Sequence, residues 1–271
     1  MARQRLAQKF EPTLDVIRYA LEYSDVAYLD ETGWRLGGRP AWLWVNTNDV
    51  ATLYDVEKSR GHEVAEKLLA KEFAGVLSSD CFSAYDPIRA EKNKCVAHIL
   101  RAFKALVEEN RGRALAFPKR AMRIFQDAIQ LKPQRAGHRP SRYARLCRKL
   151  EARLDRLLAG TLTNPGNLRL ARRLRKHRDA LLTFLYHENV DPTNNHAERA
   201  LRPAVIARKL SAGNRSPAGA KAFTTFASII RTCRQTGQDF LKLAEEVICS
   251  PEPVLVDFVD GRVIPVGAQA P

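Results

Sequence analysis

The spacing of apolar positions changes several times along the chain, and each change predicts a new element. Residues 1–24 place Leu14, Val16, Ile17, Ala20 and Leu21 at helical spacing and read as a lead-in helix. The period then shortens. Residues 25–30 form a short β-prone run closed by Asp30, and the turn-like Leu36-Gly37-Gly38-Arg39-Pro40 separates it from a second strand over 41–45. Asn46-Thr47-Asn48-Asp49 is a turn cluster, followed by a third strand over 51–56. Residues 62–73 return to a helical pattern, with Val64, Ala65, Leu68 and Leu69 on one face. Residues 75–80 predict a fourth strand, apolar at its start like a central buried strand and ending in Asp80.

From 98 to 187 the pattern is helical. Tyr143, Leu146, Leu150, Leu154 and Leu157 recur at spacings of three and four, the stripe of an amphipathic helix. After a loop over 161–167, Leu168, Ala171, Leu174, Leu181, Leu182 and Leu185 repeat that stripe, so a helical hairpin is expected. Residues 132–140 are too rich in Pro, Gly and charge for regular structure and predict a mobile loop. Residues 191–195 read as a turn opening a helix, within which Pro203 predicts a kink or break. A single long amphipathic helix is expected over 222–248, ended by Ser250-Pro251-Glu252-Pro253, with a loosely held tail to Pro271. The expected division is therefore 1–97, 98–187, 188–249 and a tail over 250–271.

Composition sharpens the picture only where it is uneven. A hydrophobic share of 45% with 28% charged residues suits a soluble globular chain. No apolar run approaches the ~18–20 residues needed to cross a bilayer, and the basic N-terminus lacks a signal's apolar stretch, so a cytoplasmic location without a membrane partner is expected. Five scattered cysteines suit reduced thiols better than a disulfide framework. The net charge is +15, but the stretch 111–178 holds 20 Lys/Arg against three acids, a balance of +17, which leaves −2 for the remainder. Such a concentrated excess attracts a polyanion by releasing its condensed counterions, whereas an ordinary charge run is a solvated face.

Two strand-ending acids, Asp30 and Asp80, are candidates for metal ligation. Phosphoryl transfer needs a strong oxygen nucleophile, a stabilised leaving oxygen and neutralisation of charge at phosphorus, and two divalent ions supply all three. Each Asp also has a plain reading as a strand-end carboxylate capping a turn. Glu198 has a stronger one: in Asn195-His196-Ala197-Glu198, Asn195 can serve as N-cap and Glu198 as the third helical residue of a capping box. Cys95 and His98 form a Cys-x-x-His pair without a second pair nearby, and four ligands are usual for zinc. They read as a buried thiol beside a histidine that orients groups near the metal site.

The stretches Tyr28-Leu29-Asp30-Glu31-Thr32-Gly33-Trp34, Ser79-Asp80 through Tyr85, Cys95-Val96-Ala97-His98 and Pro192-Thr193-Asn194-Asn195-His196-Ala197-Glu198-Arg199-Ala200-Leu201-Arg202-Pro203 closely resemble bacterial transposases of the insertion-sequence-66 class. The similarity runs over roughly 25–245 and is most specific in the Asn-Asn-x-Ala-Glu-Arg block. It implies an α/β fold, a ribonuclease-H-like mixed sheet with a largely helical insertion between the fourth strand and the Glu-bearing helix. Asp30, Asp80 and Glu198 would then form a DDE triad holding two Mg²⁺ or Mn²⁺ ions. The implied reaction is hydrolysis at the ends of a mobile element, freeing a 3′ hydroxyl, followed by strand transfer into target DNA. The alternatives are a ribonuclease-H-like nuclease without strand transfer and a non-catalytic DNA-binding relic.

The implied partners are double-stranded DNA at transposon ends and target, a second copy of the chain on that DNA, and accessory proteins of the element, in a nucleoid-associated setting. Arg199, Arg202, Lys209 and Arg215 near Glu198, and Arg172, Arg173 and Lys176 in the basic stretch, are expected DNA contacts. Cys95, His98 and Asn195 are expected to be structural neighbours of the site. Members of the class usually carry further N-terminal regions for recognising terminal repeats and binding zinc, and these would lie outside a chain in which the first Asp of the triad is Asp30. Trp34, Trp42 and Trp44 read as core.

Overall fold

The computed structural model describes residues 2–71 and 73–266, so residues 1, 72 and 267–271 of the stretches above lie outside the described residues. In chain order the elements are α1 (Ala2–Lys9), α2 (Glu11–Glu22), β1 (Val26–Leu36), β2 (Arg39–Thr47), β3 (Thr52–Glu57), α3 (His62–Leu69), β4 (Val76–Ser79), β5 (Glu91–Lys94), α4 (Val96–Glu109) and α5 (Ala116–Leu131). Then follow α6 (Pro140–Ala159), α7 (Pro165–Lys176), α8 (Asn195–Ser211), α9 (Pro217–Thr236), α10 (Phe240–Cys249), β6 (Val254–Asp257) and β7 (Arg262–Pro265). The fold class is α/β. A five-stranded sheet has the order β3-β2-β1-β4-β5, so the two strands associated with Asp30 and Asp80 are neighbours, and β6-β7 form a separate pair. No described helix is long and apolar enough to cross a membrane, and the five cysteines are free thiols.

The chain divides into two compact units: 1–77, 82–90 and 195–271 form the first, and 78–81 with 91–194 the second. The first unit has a sheet with two well-separated faces. Asp30 pairs with Val45 and Val45 with Tyr54, so these three point to one side. On that side Tyr54 Oη donates to the Ala200 carbonyl at 2.6 Å, which places α8 there, while Ser228 Oγ accepts from the Tyr54 amide, which sets α9 along the edge of β3. Glu31, Trp44 and Asp55 form the next row, facing the other way. Lys67 of α3 pairs with Asp55 at 2.9 Å, so α3 covers this second face. Phe10, Leu14, Ile17 and Leu21 from α1–α2 join Leu29, Trp44, Leu77, Ile229 and Val247 in one buried cluster.

The second unit is helical apart from the end of β4 and β5. Within it α4 packs on α5 and α7, and α6 on α5 and α7. Phe103, Phe117 and Phe125 form its aromatic centre, with centroids about 6 Å apart, a spacing suited to edge-on contact.

Several sequence expectations are corrected. The lead-in helix is two helices, because Pro12 lies in the first turn of α2 and cannot continue the ladder from α1. The first strand does not close at Asp30. It runs on to Leu36 and turns into β2 through Gly37 and Gly38, both with φ near +60° to +80°, the conformation of a two-residue hairpin turn. The helix expected over 62–73 stops at Leu69. The strand β5, Glu-Lys-Asn-Lys, was not expected, since it has no apolar alternation. The stretch expected to be a mobile loop holds a 3-10 helix over Lys132–Gly137. It is tied down by Lys132 Nζ, which donates to the Phe184 and Glu188 carbonyls at 2.7 and 3.0 Å.

The second arm of the hairpin ends at Lys176, and Leu181, Leu182 and Leu185 are buried from short 3-10 turns. The helix α8 continues through Pro203 without a break, although the Arg199 carbonyl loses its usual partner there. The long C-terminal helix is two, split by Gly237 at φ +75° and by Asp239, whose side chain caps α10. The tail is not loose throughout: β6 and β7 pair, and Val254 and Val256 are fully buried.

Candidate active site

Asp30 and Glu198 are both in the first unit. Asp30 is half-buried within β1, and its Oδ1 accepts from the Glu31 amide at 2.9 Å. It points to the sheet face on which α8 packs. That packing is built from side chains two residues apart on β1. Tyr28 stacks on His196 with ring centroids 4.5 Å apart. Arg208 donates to the Gly33 carbonyl and to Thr32 Oγ1. Trp34 stacks on Phe223 at 5.2 Å and donates to Asn214 Oδ1 at 2.8 Å. Burial pushes the Tyr54 hydroxyl beneath α8 up to about 12, against the lowering pull of Arg231 and Arg234.

The α8 start changes the local reading of Glu198. The helix begins at Asn195, so Asn195 is its first residue and Glu198 its fourth. In a capping box the acid is the third residue after the cap. With the position before the helix taken by Asn194, that third residue is Ala197. By this boundary Glu198 is one residue beyond the capping-box position. Glu198 is half-exposed.

Behind the Asp30 face stands a group that sequence reasoning passed over. The Glu31 side chain is only 2% exposed, and its carboxylate meets Arg60 Nη2 at 2.6 Å and the Tyr85 hydroxyl at 2.5 Å. The Arg60 guanidinium lies over the rings of Trp42 and Phe82, 4.5 and 3.9 Å from their centroids. Phe82 and Tyr85 come from the segment just after Asp80, so this network fastens that segment to β1. The signal was available as the acid after Asp30, but nothing local marks an exposed acid from a buried one.

Asp80, Cys95 and His98 are in the second unit. Asp80 follows β4 and is half-buried. Lys94, fully buried, donates from Nζ to Ser79 Oγ at 3.1 Å and to the Asp80 carbonyl at 2.8 Å. A buried ammonium is costly unless it is paired and hydrogen-bonded. Lys94 too escaped the sequence reading, because β5 carries no strand pattern. Cys95 is fully buried and precedes α4; its amide donates to the Ser79 carbonyl at 2.9 Å, and its sulfur accepts from the Asn194 amide at 3.2 Å. His98, on the first turn of α4, has Nε2 3.3 Å from Arg101 Nη2. Burial raises the Cys81 thiol pKa, while Lys94 and Arg173 pull it down.

The remaining expected DNA contacts are surface groups. Arg199, Arg202, Lys209 and Arg215 are exposed in the first unit, and Arg172, Arg173 and Lys176 in the second. Arg215 follows a segment locked to the β1–β2 hairpin, where the Gly37 amide donates to the Asn214 carbonyl at 2.8 Å and the Asn214 amide to the Arg35 carbonyl at 2.9 Å. Gly213 makes that approach possible: at φ +102°, an added Cβ would stand 2.4 Å from the Arg35 carbonyl oxygen.

The chain is 26% identical over 224 residues to a Sinorhizobium fredii (strain NBRC 101917 / NGR234) protein named Uncharacterized protein y4qI, covering 73% of this chain and 41% of that protein. It is 26% identical over 211 residues to Uncharacterized protein y4jD of the same strain, covering 72% of this chain and 41% of that protein. The chain spans about two fifths of the length of these curated relatives. No solved structure gives a significant match. The profile of the family described as Transposase IS66 family matches residues 1–222. This covers well over half of the chain, which therefore belongs to the Transposase IS66 family.

Proposed function

We propose that this chain is the catalytic part of a DDE transposase with a ribonuclease-H-like core, in which Asp30, Asp80 and Glu198 are the metal-binding carboxylates. The observation that carries the reading is the orientation of Asp30. It leaves the sheet on the face covered by α8, the helix that bears Glu198, while its neighbour Glu31 turns to the opposite face and is consumed by Arg60 and Tyr85. The adjacency of β1 and β4 in the sheet supports the inclusion of Asp80.

The donor set suits the ions proposed. All three are hard carboxylate oxygens on half-exposed side chains, and magnesium or manganese is held by a few such ligands while keeping some of its waters. Two such ions supply charge neutralisation at the scissile phosphate and activation of an oxygen nucleophile. The protein's own part is to fix its carboxylates. Lys94 braces the backbone at Asp80, and the Glu31 network holds the segment after it. Arg199 and Arg202, exposed on α8 beside Glu198, bind flanking phosphates of double-stranded DNA. The products are a free 3′ hydroxyl at an element end and, after its attack, a joined target strand. A dimer on DNA and accessory proteins complete the reading.

The test uses cleaved terminal DNA, supercoiled plasmid and Mg²⁺ or Mn²⁺. Asp30→Asn, Asp80→Asn and Glu198→Gln are each expected to lower strand transfer by at least about a thousandfold, on the order of 4 kcal/mol of barrier, with duplex binding retained. Strand transfer surviving in any of the three variants removes that residue from the triad. Cleavage without joining in the unmodified chain favours a nuclease.

A further inference from the structure

The segment 111–178 contains three acids, Asp127, Glu151 and Asp155, and two of them are paired with arginines. Asp127 pairs with Arg153 at 2.7 Å. Asp155 receives Arg178 Nη2 at 2.9 Å, which raises the Arg178 pKa and lowers that of Asp155. Burial, and after it the neighbouring Glu151, raise the pKa of the Tyr186 hydroxyl. Among the described residues none of the three acids pairs with any other arginine of the segment.

Three of those arginines, Arg113, Arg120 and Arg156, line one cavity of about 350 Å³ in the second unit, between the 3-10 turn before α5, α5 itself and the end of α6. Among the described residues none of the three has an ion pair, and no Asp or Glu lines the cavity. The wall opposite is polar: Thr161 and Thr163 are exposed on the loop before α7, and Asn167 is 2% exposed. Asn167 Nδ2 donates to the Ala114 carbonyl at 2.8 Å, but its Oδ1 has no hydrogen-bond partner among the described residues. Buried polar atoms are rarely left so.

We propose that this cavity is a phosphate-binding site for the DNA backbone, an anchor in the helical insertion separate from the carboxylates and from Arg172, Arg173 and Lys176. Three uncompensated guanidiniums favour a phosphodiester through charge-assisted, forked hydrogen bonds. The exposed threonine hydroxyls add donors. The proposal rests on the DNA reading above and adds the place where the insertion grips its substrate.

The experiment measures binding of the full chain to a fluorescent 30-base-pair duplex by anisotropy across a salt series. The triple variant Arg113→Ala/Arg120→Ala/Arg156→Ala is expected to bind at least about tenfold more weakly and to flatten the salt dependence by roughly two to three counterions. Arg153→Ala, which removes a compensated arginine, is expected to bind like the unmodified chain. Arg120→Glu alone, on an exposed helix face, is a second variant that keeps the test open if the triple variant fails to fold by circular dichroism; it is expected to weaken binding more than Arg153→Ala.

Titration with inorganic phosphate separates the two sources of the anion. Phosphate binding lost in the triple variant with duplex affinity unchanged overturns the DNA assignment in favour of a small-anion site. Normal duplex binding by both variants, with no phosphate binding by the unmodified chain, overturns the site and leaves the transposase reading standing. Absence of duplex binding by the unmodified chain overturns both.

Discussion

Glu31 in the first unit and Arg120 in the second are both charged side chains, treated in opposite ways. Glu31 is 2% exposed and saturated by a guanidinium and a hydroxyl. Arg120 stands on an exposed helix face, lines a cavity without acids and has no ion pair among the described residues. The first unit spends its opposite charges on each other, as Lys67 also does with Asp55 and Glu57. The second unit keeps most of its cations open. An internal pair fixes geometry because removing either member leaves an uncompensated charge. An open cation leaves local structure almost unchanged and is free for a partner that brings its own negative charge.

Lys94 is the exception, a fully buried cation in the basic unit, and so the sharpest way to break the comparison. Lys94→Met keeps the stem but removes the donor from Ser79 Oγ and the Asp80 carbonyl. At about 1–3 kcal/mol for each buried group left unsatisfied, a loss of about 2–4 kcal/mol is expected in urea unfolding. A loss below about 0.5 kcal/mol would mean that this ammonium does not brace the end of β4.

Glu31→Gln tests the other side. Breaking a buried pair costs about 3–5 kcal/mol, but Arg60 is 40% exposed, and solvent screening brings the expected loss to about 1–2 kcal/mol. The same variant is expected to speed amide hydrogen exchange over 82–90, where Phe82 and Tyr85 lose their shared anchor. Unchanged exchange there would show that the network does not hold this segment. The smallest effect is expected for Arg153→Ala. Its pair with Asp127 is 39% and 46% exposed, so the stability change is expected below about 0.5 kcal/mol. A larger change would mean that the second unit also relies on its surface pairs.

Legibility from sequence followed the same division. The amphipathic stripes of α6 and the first strands were readable because burial imposes a period on apolar residues. The uneven charge was readable by counting. The strand β5 was not, because Asn93 and Lys94 are buried by hydrogen bonding, which leaves no periodic trace. Breaks at Phe10 and Gly237 were hidden for another reason: apolar residues on both sides keep a helical spacing, and only the backbone conformation separates the helices. Pro203 erred the other way, since the packing of Ala197, Ala200, Leu201 and Ala204 outweighs one missing bond in α8.

By itself the sequence determined the alternation of strand and helix, the concentration of positive charge in 111–178, and the Asn-Asn-x-Ala-Glu-Arg block that marks the family. These are written in the order of residues and need no knowledge of what packs on what. Tertiary structure decided the rest. It turned Asp30 toward α8 and Glu31 away from it, because neighbouring residues on a strand face opposite sides. It started α8 at Asn195, one residue earlier than an Asn195 cap would require. It also decided which arginines are neutralised, since an ion pair depends on distance in space, and only Arg153 and Arg178 reach acids of that segment among the described residues.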